Sequence, residues 1–431
     1  MKMLRRALLG GAAVVAMVAG AQAGELDALK AQLEALQNRV QTLEARGATL
    51  PEGASLITFE RGASASADAL FDNKMLDVAP ASRGATIAIT PTADLPAPVA
   101  SIELSGYIRS VALWHSTDAK TNADLKNFDI WARGQIDVKA TTDTAIGRVK
   151  GGIQVRGDLG DHFGGYTRNL KIRTAWFTWQ MTDALALTMG ETGQIAALSN
   201  VGYGTVATPV GLDSSRRPQI RLSFAQGPFD LRFGIEDPSQ AGGDTTGFRT
   251  PMPDFAASMG FNMGMVGFRM GGEVGKVTTA ATTNKTGWIG NAGINMDLGS
   301  MVKFNVGGAY TKGLACDGLM SAGTGNGING LPSSALPCAS GGSLVKAWAL
   351  QGNMTLTMTE TTMLLLSGGY LKTKNGAATD LKTAWSVDGA LVWKPVDALQ
   401  FAVEGDYFHY KNRGGAKGKA AVVGVAGWFF F

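Results

Sequence analysis

Apolar and polar side chains alternate along most of the chain from Ser101 onward, in segments of about ten residues, the length of a membrane-spanning strand. In residues 128–139, Ile130 and Ile136 fall on one parity, whereas Asp129 and Arg133 fall on the other. A period of two is that of a β-strand, because successive side chains point to opposite faces. The same alternation recurs in residues 149–156 and 229–236.

Each of these strands therefore has an apolar face and a charged face. A soluble barrel turns its apolar side inward, whereas a membrane barrel presents that side to lipid and its polar side to a water-filled interior. The charges on one face favour the second arrangement. The pattern predicts an all-β transmembrane barrel.

Turn signals divide this region into sixteen antiparallel strands. Seven short connections are predicted, near residues 141–144, 182–184, 226–228, 263–265, 297–300, 357–361 and 394–398. Eight longer segments separate them, at residues 117–126, 157–168, 191–217, 237–254, 276–286, 312–343, 372–382 and 411–417. An even strand number with long loops at one end only is typical of bacterial outer-membrane barrels.

Aromatic residues on the apolar parity give an independent test of this assignment. One group lies near the long-loop ends of the strands: Trp114, Trp288, Tyr310, Trp348, Tyr370, Trp385 and Tyr407. A second group lies near the short-turn ends: Phe224, Phe229, Phe261, Phe268, Phe304, Trp393 and Phe401. Two such bands are expected where a barrel crosses the two membrane interfaces.

Residues 24–46 have a different periodicity. Leucine or valine recurs at alternating spacings of three and four, at Leu26, Leu29, Leu33, Leu36, Val40 and Leu43. This narrow seam predicts a short N-terminal α-helical coiled coil through which copies of the chain associate. A lone amphipathic helix, the alternative, usually carries a broader apolar stripe. The seam does not distinguish a trimer from a dimer.

A signal peptide and a linker are predicted on either side of this helix. Residues 1–23 combine a basic start and a short apolar run with Ala21-Gln22-Ala23, a pattern typical of a cleaved signal peptide. Residues 47–100 are rich in Ala, Ser, Thr, Gly and Pro, which indicates a linker, with partial folding into the barrel mouth as the alternative. The predicted domains are thus signal peptide 1–23, periplasmic coiled coil 24–46, linker 47–100 and barrel 101–431.

Composition agrees with a barrel and excludes several other classes. Charged residues make up 17% of the 431 residues, below the roughly 25% usual in soluble domains, and 58 are glycine. Mean hydropathy is close to zero, which argues against a bundle of membrane helices. The glycine pattern at residues 325–330 has no βαβ context, and the three histidines are dispersed, so no nucleotide cofactor or metal site is predicted.

Signal peptide, heptads, linker, sixteen strands and a terminal aromatic residue together resemble trimeric bacterial outer-membrane porins with a periplasmic coiled coil. The DcaP-like and phosphate-selective-porin-like groups are the most similar, alongside alphaproteobacterial general porins. The segment Lys171-Ile-Arg-Thr-Ala-Trp-Phe-Thr-Trp, followed by Leu185-Ala-Leu-Thr-Met-Gly-Glu-Thr, looks like their strand-turn-strand before the third loop. The architectural likeness covers nearly the whole chain, and the local motif about twenty residues of it.

The resemblance implies that the third long loop, residues 191–217, folds into the lumen and narrows it. Its candidate constriction residues are Glu191, Asp213, Arg216 and Arg217. In many general porins this loop carries carboxylates that face a basic wall. Here it holds two acids and ends in two arginines, so the loop does not favour cation selectivity.

Basic residues outnumber acids on the inward parity of the earlier strands. This basic wall consists of Arg109, Arg133, Lys139, Arg148, Lys150, Arg156, Lys171, Arg173, Arg221, Arg232 and Arg269. The acids on the same strands are Glu103, Asp129, Asp137, Asp230, Glu236 and Glu273, and later strands add Asp297, Asp388, Glu404 and Asp406. Rows of Arg and Lys favour anions in a pore. The hypothesis is a channel for passive diffusion of small hydrophilic solutes, with a preference for anions. The alternative is an unspecialised sieve, in which the opposed charges only create an electric field across the constriction.

The two cysteines and the terminal phenylalanine carry further predictions. Cys316 and Cys338 are disulfide candidates, because the chain is predicted to enter an oxidising compartment. The terminal Phe431 resembles the signal by which outer-membrane proteins are recognised by the barrel-insertion machinery. The expected partners are outer-membrane lipid and lipopolysaccharide, a homotrimer and small solutes, with no nucleic acid.

An enzyme and a structural anchor are the two alternatives to a channel. An enzyme barrel such as a lipase or protease needs a nucleophile and a base at one rim, and no such constellation stands out in the sequence. A structural protein that anchors the envelope through its coiled coil, with little channel activity, is the alternative. Single-channel current separates the channel from the anchor.

Overall fold

The computed structural model describes residues 55–62, 80, 82–91, 100–119, 122–161, 166–198, 206–238, 252–279, 282–323, 336–340 and 342–431. The predicted signal peptide and coiled coil therefore lie outside the described residues. The chain divides into two units, Met1–Leu56 with Pro91–Pro96, and Ile57–Thr90 with Ala97–Phe431. The first lies almost entirely outside the described residues, and the second contains the barrel.

The described chain is built from β-strands. They are β1 (Ser55–Arg61), β2 (Ala85–Pro91), β3 (Ala100–Ala119), β4 (Asn122–Thr144), β5 (Gly147–Asp161), β6 (Tyr166–Gln180), β7 (Leu185–Gly193), β8 (Gly211–Leu212), β9 (Arg216–Gln226), β10 (Phe229–Glu236), β11 (Asp254–Asn262), β12 (Val266–Thr279), β13 (Thr282–Leu298), β14 (Val302–Lys312), β15 (Met320–Ser321), β16 (Ala339–Ser340), β17 (Ser343–Leu344), β18 (Lys346–Thr357), β19 (Thr362–Thr373), β20 (Leu381–Val396), β21 (Leu399–Asn412) and β22 (Lys417–Phe430).

Sixteen of these strands form a closed antiparallel barrel, as the sequence predicts. Strands β3–β7, β9–β14 and β18–β22 each pair with the next one along the chain. The last strand, β22, pairs with β3 and closes the ring. Two further hydrogen bonds between the backbones of Gly106 and Phe431, 2.9 and 3.1 Å long, complete this seam. Closure leaves no open barrel edge, which a bilayer would not tolerate.

Side-chain exposure follows the predicted alternation. In β4, Ile130 and Ile136 are 56% and 46% exposed on the outside, whereas Asp129 and Arg133 are buried on the inside. The apolar outer face is the one that lipid would cover. Among the described residues, no helix has the length and apolar character needed to cross a membrane.

Aromatic rings form the two predicted bands on the outer face. Near the long-loop ends, rings of neighbouring strands lie side by side: Trp288 with Tyr310 (5.5 Å between centroids), Trp348 with Tyr370 (5.1 Å) and Trp385 with Tyr407 (5.5 Å). Near the short-turn ends, Trp393 stacks on Phe401 at 5.7 Å. Tyr310 lies directly opposite Trp348 in the register, and Tyr370 lies directly opposite Trp385, so these rings mark the same height on several strands.

Some segments predicted as long loops are instead strand. β3 continues to Ala119 and β4 begins at Asn122, inside the predicted loop 117–126. In the same way, β12 ends at Thr279 and β13 begins at Thr282, inside the predicted loop 276–286. Ladder hydrogen bonds join backbone groups whatever the side chains, so pairing continues past the membrane-facing band into polar sequence.

Part of the predicted linker also pairs as strand. β2 pairs with the first residues of β3, from Ala85 opposite Leu104 to Ile89 opposite Ala100, and β1 pairs with β2. β22 ends opposite Tyr107, so β2 occupies the edge of β3 beyond the end of the last barrel strand. The residues of β1 and β2 are therefore ordered strand rather than irregular linker.

Candidate functional site: the barrel lumen

The described parts of the β7–β9 loop, residues 194–198 and 206–215, fold into the lumen, as the resemblance implies. Its backbone N–H groups donate to inward side chains of the wall: Ile195 to Glu236 Oε1 (2.6 Å), Val206 and Ala207 to Glu404 Oε1 (2.8 and 2.7 Å), Val210 to Ser386 Oγ (2.9 Å) and Leu212 to Gln351 Oε1 (2.7 Å). Buried N–H groups need such acceptors. The loop is thus held against the wall from β10 round to β21.

Glycines in the wall let this loop approach closely. A Cβ atom at Gly369 would lie 1.6 Å from the carbonyl oxygen of Val210. A Cβ at Gly271 would lie 2.8 Å from the carbonyl oxygen of Ala196. Glycine inside a strand often marks such a close approach of another backbone. These positions fix where the loop can lie.

A second loop, the β14–β18 loop, packs on the first through its described residues 313–323, 336–340 and 342–345. Its strand β15 pairs with β8 of the β7–β9 loop, and the amide of Asp213 donates to Leu319 O at 3.2 Å. The hydroxyl of Tyr410 on β21 donates to Ala322 O at 2.8 Å. Within this loop, Cys316 and Cys338 form a disulfide. Two inserted loops, rather than one, narrow the lumen.

Aromatic side chains flank the basic wall near the barrel seam. The Arg109 guanidinium lies 4.8 Å from the Trp131 ring and 4.7 Å from the Trp428 ring. Arg133 lies 5.0 Å from the same Trp131 ring. A cation between two aromatic faces is attracted to both and is held in place.

Higher on β4–β6, three basic residues surround one acid. Arg133 Nε donates to Asp158 Oδ1 at 2.5 Å, and Lys171 Nζ lies 3.8 Å from Asp158 Oδ2. Arg156 donates to Gln135 and to the Tyr107 hydroxyl. This part of the wall therefore keeps a positive excess.

A cavity of about 300 Å³ lies at the short-turn end of the same wall. Its lining includes five basic residues, Lys139, Arg148, Lys150, Arg221 and Arg232, and a single acid, Asp230. Asp230 is itself engaged by Arg269, whose Nη2 lies 2.7 Å from Asp230 Oδ2. A cavity with this charge balance attracts anions.

Arg148 lies at the edge of the basic wall, and Glu191 lies outside the predicted loop. Arg148 lies at the rim, paired with Asp143 at 2.7 Å, and the Arg148 guanidinium holds the pKa of the Asp143 carboxyl below its ordinary value. Glu191 lies in β7 rather than in the loop, on the parity opposite to the buried Thr188 and Thr192. Strand pairing continues through Gly193, which moves Glu191 out of the constriction.

The two arginines that end the predicted constriction loop also belong to a strand. Arg216 and Arg217 open β9, where Arg216 shares the outward parity with Ile220. Arg217 is fully buried and contacts Asp254, Glu273 and Asp317, so it does not face the open lumen. Of the four predicted residues, only Asp213 lies in the β7–β9 loop.

Sequence reasoning missed the residues that receive the loop. Gln351, Ser386 and Glu404 are inward polar residues on three different strands, and nothing in the sequence marks them as partners of one loop. Their inward parity on late strands was visible, but the acceptor role depends on where the loop crosses. The carboxylates around Arg217 were missed for the same reason.

Comparison with known proteins agrees with this geometry. A family model described as a porin subfamily, Porin_2, matches residues 100–424, about three quarters of the chain. The chain belongs to this porin subfamily. No curated protein sequence matches the chain.

Solved structures of similar fold are porins as well. The outer-membrane channel DcaP of Acinetobacter baumannii is 18% identical, with a TM-score of 0.63 over 77% of this chain and 97% of that one. An anion-selective porin from Comamonas acidovorans is 12% identical, with a TM-score of 0.54 over 77% of this chain and 100% of that one. At these identities the likeness establishes the fold of this porin. Family and fold are those of outer-membrane channels for passive diffusion, a class that is typically not enzymatic.

Proposed function

We propose that this porin is an anion-preferring channel for small hydrophilic solutes such as carboxylates and phosphate. The observation that carries the proposal is an unequal covering of the lumen charges by the inserted loops. Of the seven inward acids on β10–β12, β20 and β21, Asp230 keeps intermediate exposure and pairs with Arg269. The other six are each less than a tenth exposed: Glu236, Asp254, Glu273, Asp388, Glu404 and Asp406.

About half of the basic wall is buried as well, and the other half stays in contact with the lumen. Lys150, Arg173, Arg232 and Arg269 keep intermediate exposure, and the Lys171 side chain is 53% exposed. Passing solutes therefore meet more uncovered positive than negative charge. Such groups attract anions and partly replace their hydration, which favours anion passage.

The solved porin of Comamonas acidovorans supports this selectivity as one that the fold accommodates. It is described as anion-selective and shares the barrel architecture, although at 12% identity its residues carry over no roles.

Reversal potentials across planar bilayers in a salt gradient test the proposal. The wild-type channel is expected to be anion-selective, and Lys150→Gln combined with Arg232→Gln to shift the potential toward cations. Lys372→Gln is the matched control, because Lys372 is exposed on the outward parity of β19. A cation-selective wild type would contradict anion preference, and so would a double variant with the same reversal potential as the wild type. An intact oligomer with no current would favour the envelope anchor instead.

We also propose that the heptads of residues 24–46 join three copies in the periplasm. Leu26, Leu29, Leu33, Leu36, Val40 and Leu43 supply the seam. The aromatic bands would place the barrel in outer-membrane lipid and lipopolysaccharide. Phe431, which closes the seam against Gly106, would serve as the recognition signal of the insertion machinery.

A further inference from the structure

Four carboxylates surround the buried Arg217 at the long-loop end of the lumen. Arg217 Nη1 lies 3.1 Å from both Asp254 Oδ2 on β11 and Glu273 Oε1 on β12. Arg217 Nη2 contacts Asp317 of the β14–β18 loop through its carboxylate and, at 2.7 Å, through its backbone oxygen. Glu236, directly opposite Asp254 in the register, completes the acid cluster.

One guanidinium cannot compensate this many buried acids. All four carboxylates are 1% exposed, and Arg217 is 0% exposed. Within the described part of the chain, Glu236 has no ion-pair partner and accepts only the Ile195 amide hydrogen. Burying unpaired charge is costly, so a cation beside these acids would stabilise the cluster.

Unused oxygen atoms point to where that charge would sit. Among the described residues, Glu236 Oε2, Asp254 Oδ1 and Glu273 Oε2 are buried and have no hydrogen-bond partner. Most buried carboxylate oxygens in proteins are satisfied. Three unsatisfied oxygens on three neighbouring acids therefore point to a cation that carboxylate oxygens can coordinate.

The spacing of the acids fits a calcium ion. One oxygen from each of Asp254, Glu273 and Asp317 lies within 4.8 Å of the other two. Two ligands on opposite sides of a calcium ion are about 4.6–5.2 Å apart, and adjacent ligands lie closer. Calcium also tolerates irregular oxygen shells, and an all-carboxylate set suits such a hard cation.

We propose that a divalent cation of the calcium class binds Asp254, Glu273 and Asp317, with Glu236 beside it, and fastens the β14–β18 loop to the barrel wall. Asp317 follows Cys316 of the disulfide, so the ion and the disulfide would fix the same turn. Gln194 of the β7–β9 loop also donates to Asp317, at 3.0 and 3.2 Å. Both inserted loops are thus held at one point.

Calcium titration of the full-length porin, refolded in detergent without lipopolysaccharide and freed of metal by a chelator, tests this site. Calorimetry is expected to show saturable binding with a dissociation constant below millimolar. The midpoint of thermal unfolding is expected to rise by several degrees, because a ligand of the native state stabilises it by mass action. Absence of binding, or stabilisation by acid with no response to calcium, overturns the proposal.

Variants locate the ion. Glu273→Gln and Asp317→Asn are expected to abolish the calcium response. Glu236→Gln keeps an oxygen for the Ile195 amide while removing one charge, so it should fold and lower the affinity about tenfold. Asp388→Asn, a buried carboxylate on β20 that accepts from Ser367 and Ser386, is the control and should respond as wild type.

An unchanged affinity in Glu236→Gln and Asp317→Asn would place any bound calcium elsewhere and contradict the site. Calcium binding is measured without current, so its failure is distinguishable from failure of the anion preference.

Discussion

At the residue scale, the same side chain acts differently according to what surrounds it. Arg217 is enclosed by carboxylates and holds loops in place, whereas Arg133 pairs with Asp158 on a wall with a positive excess. Arg109 has a third environment, between two tryptophan rings. Residue type therefore indicates charge, but its effect on solutes or on stability depends on its partners.

Arg109→Ala is expected to destabilise the barrel at its seam. Arg109 joins Trp131 on β4 to Trp428 on β22, and two buried cation–π contacts are worth about 1–3 kcal/mol together. Urea unfolding followed by tryptophan fluorescence measures the change. The exposed Arg148→Ala should have little effect, since surface pairs contribute little. Equal midpoints for both variants would contradict the role of Arg109.

At the element scale, the two inserted loops decide what the lumen presents. The β7–β9 loop has few charges of its own, and its described inner residues are mostly apolar and buried: Ile195, Ala196, Ala197, Leu198, Val206, Ala207, Val210 and Leu212. Its effect comes from covering the acids of the later strands. The loop is positioned by hydrogen bonds to the wall and by glycines that leave room for its backbone.

Gly369→Ala is expected to displace the β7–β9 loop and change single-channel conductance. The added Cβ would lie 1.6 Å from Val210 O, so the loop must shift toward the remaining lumen. Gly368→Ala is a matched control, because its nearest atom would be 3.5 Å away on the other face of β19. Identical conductance in the two variants would show that the loop does not line the conducting path.

At the scale of the whole molecule, barrel closure and self-association are separate problems. Closure is achieved within one chain by β22 and β3, with the terminal Phe431 bonded to Gly106. Association is assigned to the heptads of residues 24–46, which lie outside the described residues. A seam of three heptads is marginal alone, so barrel contacts would have to contribute.

Deleting residues 24–46 is expected to lower the stability of the oligomer while leaving the conductance of each barrel unchanged. The reason is that the heptads add association energy without lining the lumen. Mass measurement in detergent against temperature detects dissociation, with bilayer recording as the control. An oligomer as stable as wild type would contradict the predicted role of the coiled coil.

The strand pattern could be predicted from the sequence because it depends on local periodicity. Each strand must turn one parity to lipid, so the outward position of Ile130 and Ile136 can be predicted without knowing which strands pair with theirs. The sixteen-strand count and the aromatic bands follow from the same constraint. The predicted loop at 117–126 is too long, because strand pairing can continue through polar residues once both strands have left the membrane.

Tertiary structure decides which charged side chains remain exposed in the lumen. Inward parity placed Glu404 and Lys171 on the same kind of face. The β7–β9 loop covers Glu404, whereas the Lys171 side chain remains 53% exposed. Likewise, Arg217, Glu236, Asp254, Glu273 and Asp317 come from separate strands and a loop. Contacts at such separations depend on three-dimensional closure, whereas the alternation along each strand is fixed by the bilayer alone.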